Sequence, residues 1–227
     1  DPRRFLYKYL EYKCTNEENK NNIKIYLANN KGLFSLSNDI LDNINSFVIH
    51  TFKTKESIER SIGEKKFGPI SLWDVSQVTN MSKLFEFKST FDEHIGDWNV
   101  SNVTDMSLMF HTVENFNHDI SNWNVSNVID MKGMFWQAKN FNQPIGNWNV
   151  SNVTNMRMMF NEAISFNQPI NDWNVSNVKI MVGMFWETDN FNQPIEDWNV
   201  SNVTNMKKMF SDAKSFNQPI GNWNVSN

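Results

Sequence analysis

Trp98-Asn99-Val100-Ser101-Asn102-Val103 is the stretch that decides the fold. The stretch recurs at a fixed spacing, with a weaker first copy and a truncated last one; the copies begin at Trp73, Trp123, Trp148, Trp173, Trp198 and Trp223. Each copy begins 25 residues after the one before it, without any insertion. A fixed period of ~20–50 residues is typical of repeat proteins whose neighbouring units stack on one another. The period therefore predicts a solenoid.

Composition excludes several classes of function. Of the 227 residues, 40% are apolar, the formal net charge is −4, and no basic run is present, which argues against nucleic acid as a partner. Cys14 is the only cysteine, so the chain has no internal disulfide and no cysteine zinc site. No apolar run approaches the ~20 residues of a transmembrane helix. The chain opens without Met and stops at Asn227 inside a repeat, so we expect targeting signals to lie outside it.

Residues 1–51 precede the repeats and read as a helical N-terminal region, because apolar residues recur there at helical spacing. Within it, residues 36–48 resemble the start of an F-box, with Ser37 where the family has proline. The residues that carry this likeness are Leu36, Ile40, Leu41, Ile44 and Phe47. The alternative is an ordinary amphipathic helix in a helical cap. The resemblance implies an intracellular adaptor that recruits a Skp1-like subunit.

Residues 52–72 read as a lead-in that caps the first repeat. A helix is predicted from Lys55 to Lys66, with Ile58 and Ile62 on one face. Ile70 stands three residues before Trp73, as an isoleucine does before every later tryptophan of the repeated stretch. Residues 73–227 then form six 25-residue repeats and the start of a seventh. Terminal units of a stacked array need such a cover over their apolar face.

Each repeat, numbered from its tryptophan as position 1, combines two periodicities. In repeat 4, Trp148 and Val150 alternate with polar residues, which predicts a short strand with Asn and Ser in outward-facing ladders. Met156, Met159, Phe160 and Ala163 follow at i, i+3, i+4 and i+7, which predicts a helix. The residue at position 8, mostly Asn or Asp, would be its N-cap. The pattern predicts an α/β solenoid of strand–turn–helix units.

The spacing Ile-x-x-Trp-x-Val-x-x-Val-x-x-Met is similar to that of leucine-rich repeats. The longer pattern Trp-Asn-Val-Ser-Asn-Val-Thr-Asn-Met-x-x-Met-Phe-x-x-Ala-x-x-Phe-Asn-Gln-Pro-Ile resembles the 25/26-residue bacterial surface protein repeat over residues 52–227. This DUF285 family, related to BspA-like leucine-rich repeats, occurs in bacterial and mycoplasma surface lipoproteins and in large DNA viruses of protists. The resemblance implies a leucine-rich-repeat-like solenoid with a helical N-terminal cap; the alternative fold is a right-handed parallel β-helix.

The resemblance further implies a non-enzymatic scaffold for protein–protein interaction, located at a cell or virion surface and able to assemble with other surface or virion proteins. No catalytic constellation, metal-ligand pattern or cofactor motif recurs in the repeats, so we expect no enzymatic activity and no cofactor. Carbohydrate adhesion through exposed tryptophans is a third hypothesis.

A candidate contact patch comes from residues that break the repeat pattern. Trp136 and Trp186 stand at position 14, each three residues after a glycine. With Leu108, Met158 and Val182 they predict an apolar patch on the outer side of the array, and such patches often mark contacts. The alternative is that the two rings close gaps between neighbouring repeats.

Overall fold

The structure is a computed structural model that describes residues 51–64 and 69–226. Apart from Thr51, the region 1–51, with its F-box-like segment, lies outside the described residues. Helix α1 spans Lys55–Glu64, in agreement with the helix predicted from Lys55. It begins after Thr54, whose Oγ1 accepts a hydrogen bond from the Ser57 N–H at 3.3 Å. Ile58, on its inward face, is fully buried.

The lead-in packs directly on repeat 1. Thr51 forms a parallel bridge with Asp74, and the Phe52 N–H donates to the Asp74 carbonyl at 2.8 Å. The rings of Phe52 and Trp73 have centroids 4.8 Å apart. A short 3-10 helix, Ile70–Leu72, then leads into Trp73. Residues 51–62 therefore continue the apolar core beyond the first repeat.

The strand predicted at positions 1 to 3 is not formed in the described repeats. In repeat 4 the Val153 N–H donates to the Val150 carbonyl at 2.9 Å, so the chain turns immediately after the predicted strand. The Asn149 side chain caps this turn by accepting the Ser151 N–H at 3.1 Å. Parallel pairing between repeats is confined to single-residue bridges at position 8, which join Asn80, Asp105, Asp130, Asn155, Ile180 and Asn205 in succession.

The helix predicted over positions 9 to 16 is replaced by three overlapping turns. In repeat 4 the N–H groups at positions 12, 14 and 16 donate to the carbonyls at positions 9, 11 and 13, at 3.2, 3.2 and 2.9 Å. The N–H groups at positions 9, 11, 13 and 15 instead donate to carbonyls of repeat 5, at 2.8–3.0 Å. An α-helix uses every interior N–H within its own segment. Here alternate N–H groups join one repeat to the next.

Left-handed backbone conformations at positions 11 and 15 make the first and the third of these turns possible. In repeat 4, Met158 has φ 54° and Glu162 has φ 56°. A type II turn needs positive φ at its third residue, and a right-handed helix excludes it. Position 11 is glycine in two repeats, Gly133 and Gly183. The other repeats hold non-glycine residues there at an energetic cost, which the bonds between repeats must offset.

The predicted leucine-rich-repeat-like α/β solenoid is therefore wrong. In the described part of the chain, helical structure is limited to α1 and the 3-10 helix, both before repeat 1, and no strand longer than a single bridge is present. The alternative β-helix lacks its strands for the same reason. The i, i+3, i+4, i+7 pattern was misleading, because successive four-residue turns also bring the side chains at positions 9, 12, 13 and 16 to one side. The helix N-cap predicted at position 8 is therefore wrong as well: Asn155 Oδ1 accepts the Arg157 N–H at 3.1 Å, but it caps a turn.

The prediction of which residues form the core is confirmed. From repeat 1 to repeat 5 the side chains at positions 1, 3, 6, 9, 12, 13, 19 and 23 are buried. Equivalent rings stack along the array: Phe135 lies 5.7 Å from Phe160, and Trp123 lies 6.5 Å from Trp148, with planes within 6° of parallel in both pairs. Each aromatic side chain buries ~150–250 Å². These columns of like residues are the main source of stability.

Candidate functional site

The repeated tryptophans use their only polar side-chain atom inside the array. The Trp173 Nε1–H donates to the Ile145 carbonyl, 28 residues earlier in the chain, at 3.1 Å. The same bond recurs from Trp98 to Trp223, at 2.9–3.3 Å. The most faithfully repeated residue is therefore a structural link between repeats, and its indole is not offered to a ligand.

Two columns of amide side chains also join the repeats. At position 5, Asn152 Nδ2 donates to the Ser126 carbonyl of the preceding repeat at 2.7 Å. At position 21, Gln168 Nε2 donates to both the carbonyl and Oδ1 of Asn142, at 3.0 and 3.1 Å. The ladder predicted at position 2 is not formed, because Asn at position 2 bonds within its own repeat. The repeated polar residues thus hold the array together, and the variable positions are the candidates for function.

The variable positions 11, 14 and 15 contact one another along one side of the array, which we call the turn face. It carries four of the five residues of the predicted contact patch, and the fifth, Val182, stands at the adjacent position 10. Each of them is half-buried, which differs from the exposed patch that was expected; they are Leu108, Trp136, Met158, Val182 and Trp186.

The structure gathers four of these residues into two similar clusters. Leu108 packs against Gly133, so closely that a Cβ on that glycine would lie 2.6 Å from Leu108 Cδ2. Two repeats later, Met158 Cγ would lie 3.5 Å from a Cβ on Gly183, and the Trp186 ring covers the same glycine. Trp136 follows Gly133 as Trp186 follows Gly183. From repeat 2 to repeat 6, glycine alternates with a larger residue at position 11, so this part of the turn face has a period of two repeats.

The two tryptophan rings are packed between repeats. Trp136 stacks on His111 of the preceding repeat, with ring centroids 4.3 Å apart and planes 19° from parallel. Trp186 lies beneath Lys208 Nζ of the following repeat, 4.2 Å from the ring centroid. Both contacts agree with the alternative that the rings close gaps between repeats. Only part of each ring reaches solvent.

Sequence reasoning missed Phe87, whose side chain is 69% exposed on the turn face. Phe87 occupies position 15, where every later repeat has a polar residue, and its φ is 61°. The ring lies 5.0 Å from that of His111, which in turn stacks on Trp136. The break in the polar pattern at position 15 was the available signal. An exposed phenylalanine therefore continues the row of rings at the N-terminal end of the turn face.

A missing hydrogen bond distinguishes the second cluster from the first. Trp136 Nε1 lies 3.5 Å from Glu162 Oε1 in the next repeat, whereas Trp186 Nε1 is buried and has no partner among the described residues. The residue equivalent to Glu162 is Asp212, one methylene shorter, and its carboxylate accepts from the Ser211 hydroxyl instead. The shorter side chain leaves an unsatisfied donor.

We expect Asp212→Glu to stabilise the protein by about 0.5–1.5 kcal/mol, because the longer side chain can accept the Trp186 Nε1–H. In thermal unfolding this is a rise in Tm of roughly 1–5 °C for a chain of this length. The matched change is Glu162→Asp, which should lower Tm by at least a similar amount, because it leaves Trp136 Nε1 without its acceptor and draws back the carboxylate that accepts from Gln137 Nε2 at 3.0 Å. Equal Tm values for both variants and the native chain would contradict this assignment.

A shallow groove of 450 Å³ runs on another side of the array. It is lined by residues at positions 5 and 7 of three successive repeats: Asn102, Thr104, Asn127, Ile129, Asn152 and Thr154. Ile129 is half-exposed there, where repeats 2 and 4 have threonine. The asparagines of this groove are those that bond to the preceding repeat. The groove is therefore largely a by-product of the stacking.

Charged groups on the variable positions form pairs across repeats. Lys139 Nζ lies 2.9 Å from Glu114 Oε1, and Lys214 Nζ lies 2.7 Å from Asp189 Oδ2. Hydrogen bonding to these carboxylates raises the pKa of both lysines. Among the described residues, no group of three or more His, Cys, Asp or Glu side chains is placed to hold a metal ion. In the same residues no helix has the length and apolar character needed to cross a membrane.

Comparison with known protein families gives a match over the whole repeat array. The family model described as "Mycoplasma protein of unknown function, DUF285" matches residues 51–156 and again residues 143–227. No curated protein and no solved structure matches the chain. The two matched ranges together cover the lead-in from Thr51 and all six repeats, the part of the chain built from stacked 25-residue units. This protein belongs to the DUF285 family of repeat proteins.

Proposed function

We propose that this protein is a non-enzymatic scaffold that binds another protein through its turn face, as a component of a cell or virion surface. The observation that carries the proposal is the exposed ring of Phe87 at the end of the row Phe87–His111–Trp136. A phenylalanine that is 69% exposed in a left-handed conformation gains from neither burial nor favourable backbone geometry in the free protein. A partner that covered the ring would gain the free energy of burying its apolar surface.

The neighbouring residues suit a contact surface. Aromatic side chains that are held rigidly by their neighbours lose little conformational entropy on binding. The half-buried edges of Trp136 and Trp186 extend the apolar surface along the turn face. Tryptophan is enriched among the residues that contribute most to interfaces. The polar residues repeated in every unit are engaged within the array, which leaves specificity to the variable positions.

The test compares capture of proteins by the native chain and by two variants. The full chain is immobilised and exposed to extracts and surface fractions of the cells in which or on which the protein occurs. The retained proteins are quantified by mass spectrometry. Phe87→Ser should lower the retained amount of a true partner at least about tenfold, because truncated interface anchors cost ~2 kcal/mol or more. The Phe87 side chain is exposed, so its removal takes nothing from the core and the fold should remain intact.

Ile129→Thr is the matched control. It replaces an exposed apolar side chain of the groove with threonine, the residue that repeats 2 and 4 have at this position. A partner bound through the turn face is lost with Phe87→Ser and kept with Ile129→Thr. If no protein separates the two variants, the turn face is not the binding site and this function is rejected. Labelling of intact cells or virions with an impermeant reagent tests the surface location separately.

A further inference from the structure

Three histidines lie at the junction of repeats 1 and 2, and each contacts a carboxylate. His111 Nδ1 lies 3.0 Å from Glu86 Oε1, His118 Nε2 lies 3.1 Å from Asp92 Oδ1, and His94 Nε2 lies 3.7 Å from Asp97 Oδ2. Later repeats contain no histidine at all. The junction of repeats 1 and 2 therefore has histidine–carboxylate contacts, which the later junctions lack.

The pair of His118 and Asp92 is a titratable version of a bond that recurs at every later junction. There, Gln at position 21 donates through Nε2 to the carbonyl and Oδ1 of Asn at position 20, at 2.8–3.1 Å. His118 Nε2 makes the same two contacts, at 2.9 Å to the Asp92 carbonyl and 3.1 Å to its Oδ1. A neutral imidazole with its proton on Nε2 replaces the amide donor. A protonated imidazole adds an ion pair with the Asp92 carboxylate.

His111 forms the second link across this junction, and it is buried. Its Nδ1–H can donate to Glu86 in the neutral state, and protonation adds attraction both to that carboxylate and to the face of Trp136, 4.3 Å away. Burial opposes the charge, and so does Lys83, whose Nζ lies 3.7 Å from Glu86 Oε2. The Glu86 carboxylate contacts His111 directly, whereas the Lys83 side chain is mostly exposed and reaches only the other carboxylate oxygen.

The remaining charged groups at the junction act in both directions. The rings of His94 and His118 have centroids 5.7 Å apart and repel when both are charged. Against this repulsion stand the carboxylates of Asp92 and Asp119, each across the junction from one of the two histidines. Asp97 lies in the same repeat as His94 and attracts it whether the junction is open or closed. The pKa of Asp119 is lowered chiefly by hydrogen bonds from Ser121, so this carboxylate stays ionised in weak acid. The local balance of charge is negative.

We propose that the junction between repeats 1 and 2 is a pH-sensitive clamp that tightens as the pH falls from about 8 to about 5, the range in which histidine takes up a proton. Protonated histidines are stabilised by carboxylates across the closed junction and lose that stabilisation when repeat 1 separates. The closed state therefore binds more protons than the open one, so acid favours closure. The effect ends where the carboxylates themselves are protonated. This device is independent of any partner.

Hydrogen exchange of backbone amides in the full chain tests the clamp. The N–H groups of Met81, Lys83, Phe85 and Phe87 bond across this junction, and those of Met131, Gly133, Phe135 and Gln137 make the equivalent bonds from repeat 3 to repeat 4. The ratio of protection factors between the two sets cancels the intrinsic effect of pH on exchange. We expect this ratio to rise about threefold to tenfold from pH 7.5 to pH 5.5, the combined effect of the buried pair of His111 and Glu86 and the partly exposed pair of His118 and Asp92.

The repeats supply their own controls. The triple variant Asp92→Asn, His118→Gln, His111→Asn introduces residues found in later repeats, and it should remove most of the change in the ratio, since of the three histidines only His94 remains. The reverse exchange, Asn142→Asp with Gln168→His, should create a pH response at the junction of repeats 3 and 4. A ratio that is the same at both pH values in the native chain overturns the proposal, even if the variants fail to fold. A pH response that the triple variant leaves undiminished also overturns it.

Discussion

Replacing Trp173 with alanine should lower the free energy of unfolding by about 3–5 kcal/mol. Trp173 is 3% exposed, its ring stacks on Trp198 at 6.4 Å, and its Nε1–H satisfies the Ile145 carbonyl at 3.1 Å. Alanine would leave a cavity in the middle of the array, and the Ile145 carbonyl would keep only the Trp148 N–H, at 3.1 Å, as its donor. In thermal unfolding the loss corresponds to a fall in Tm of roughly 10 °C for a chain of this size.

Two further variants separate the contribution of burial in the stack from that of the Nε1–H hydrogen bond. Trp173→Phe keeps an aromatic ring in the column but removes the donor, so we expect it to cost about 1–3 kcal/mol. Trp223→Ala removes the same bond, here to the Ile195 carbonyl at 3.1 Å, from a residue that is only half-buried, and should cost less than Trp173→Ala. If Trp173→Ala and Trp223→Ala lowered Tm equally, burial within the stack would not be the main source of stability.

Gly146→Ala should also destabilise the protein strongly, by about 1–3 kcal/mol, because the added methyl group has no space. A Cβ at this position would lie 2.4 Å from the Pro169 carbonyl oxygen in the next repeat. A backbone atom cannot move aside as a side chain can, so the two repeats would have to separate locally. The measurement is again the midpoint of thermal or urea unfolding.

The chain contains a matched control for this substitution at the end of the array. Gly221 stands where Gly146 stands, at position 24, and a Cβ added there meets nothing within 4 Å. Gly221→Ala should therefore change Tm by less than about 2 °C. A loss of stability as large as that of Gly146→Ala would show that glycine is needed for backbone freedom at this position and not for space.

Sequence reasoning located the candidate surface better than it described it. The departure from the pattern at position 14 identified Trp136 and Trp186, and the glycine three residues earlier correctly indicated where the Trp186 ring lies. The exposure of these rings was overestimated, because the contacts of His111 and Lys208 with them come from neighbouring repeats. Phe87 escaped notice because its neighbours in sequence do not show how far position 15 projects into solvent.

The sequence by itself determined the period, the core and the family. Stacking of identical units requires the same apolar residue at the same place in each repeat, so the regular recurrence of Trp, Val, Met, Phe and Ile was sufficient to identify the buried side chains. Only the tertiary structure decided how the backbone between them is folded. Met156, Met159 and Phe160 have the spacing of a helix, yet their segment turns three times, since alternate N–H groups find carbonyls in the next repeat at 2.8–3.0 Å. The turn conformation depends on hydrogen bonds to a repeat 25 residues away, so the periodicity within one repeat cannot predict it.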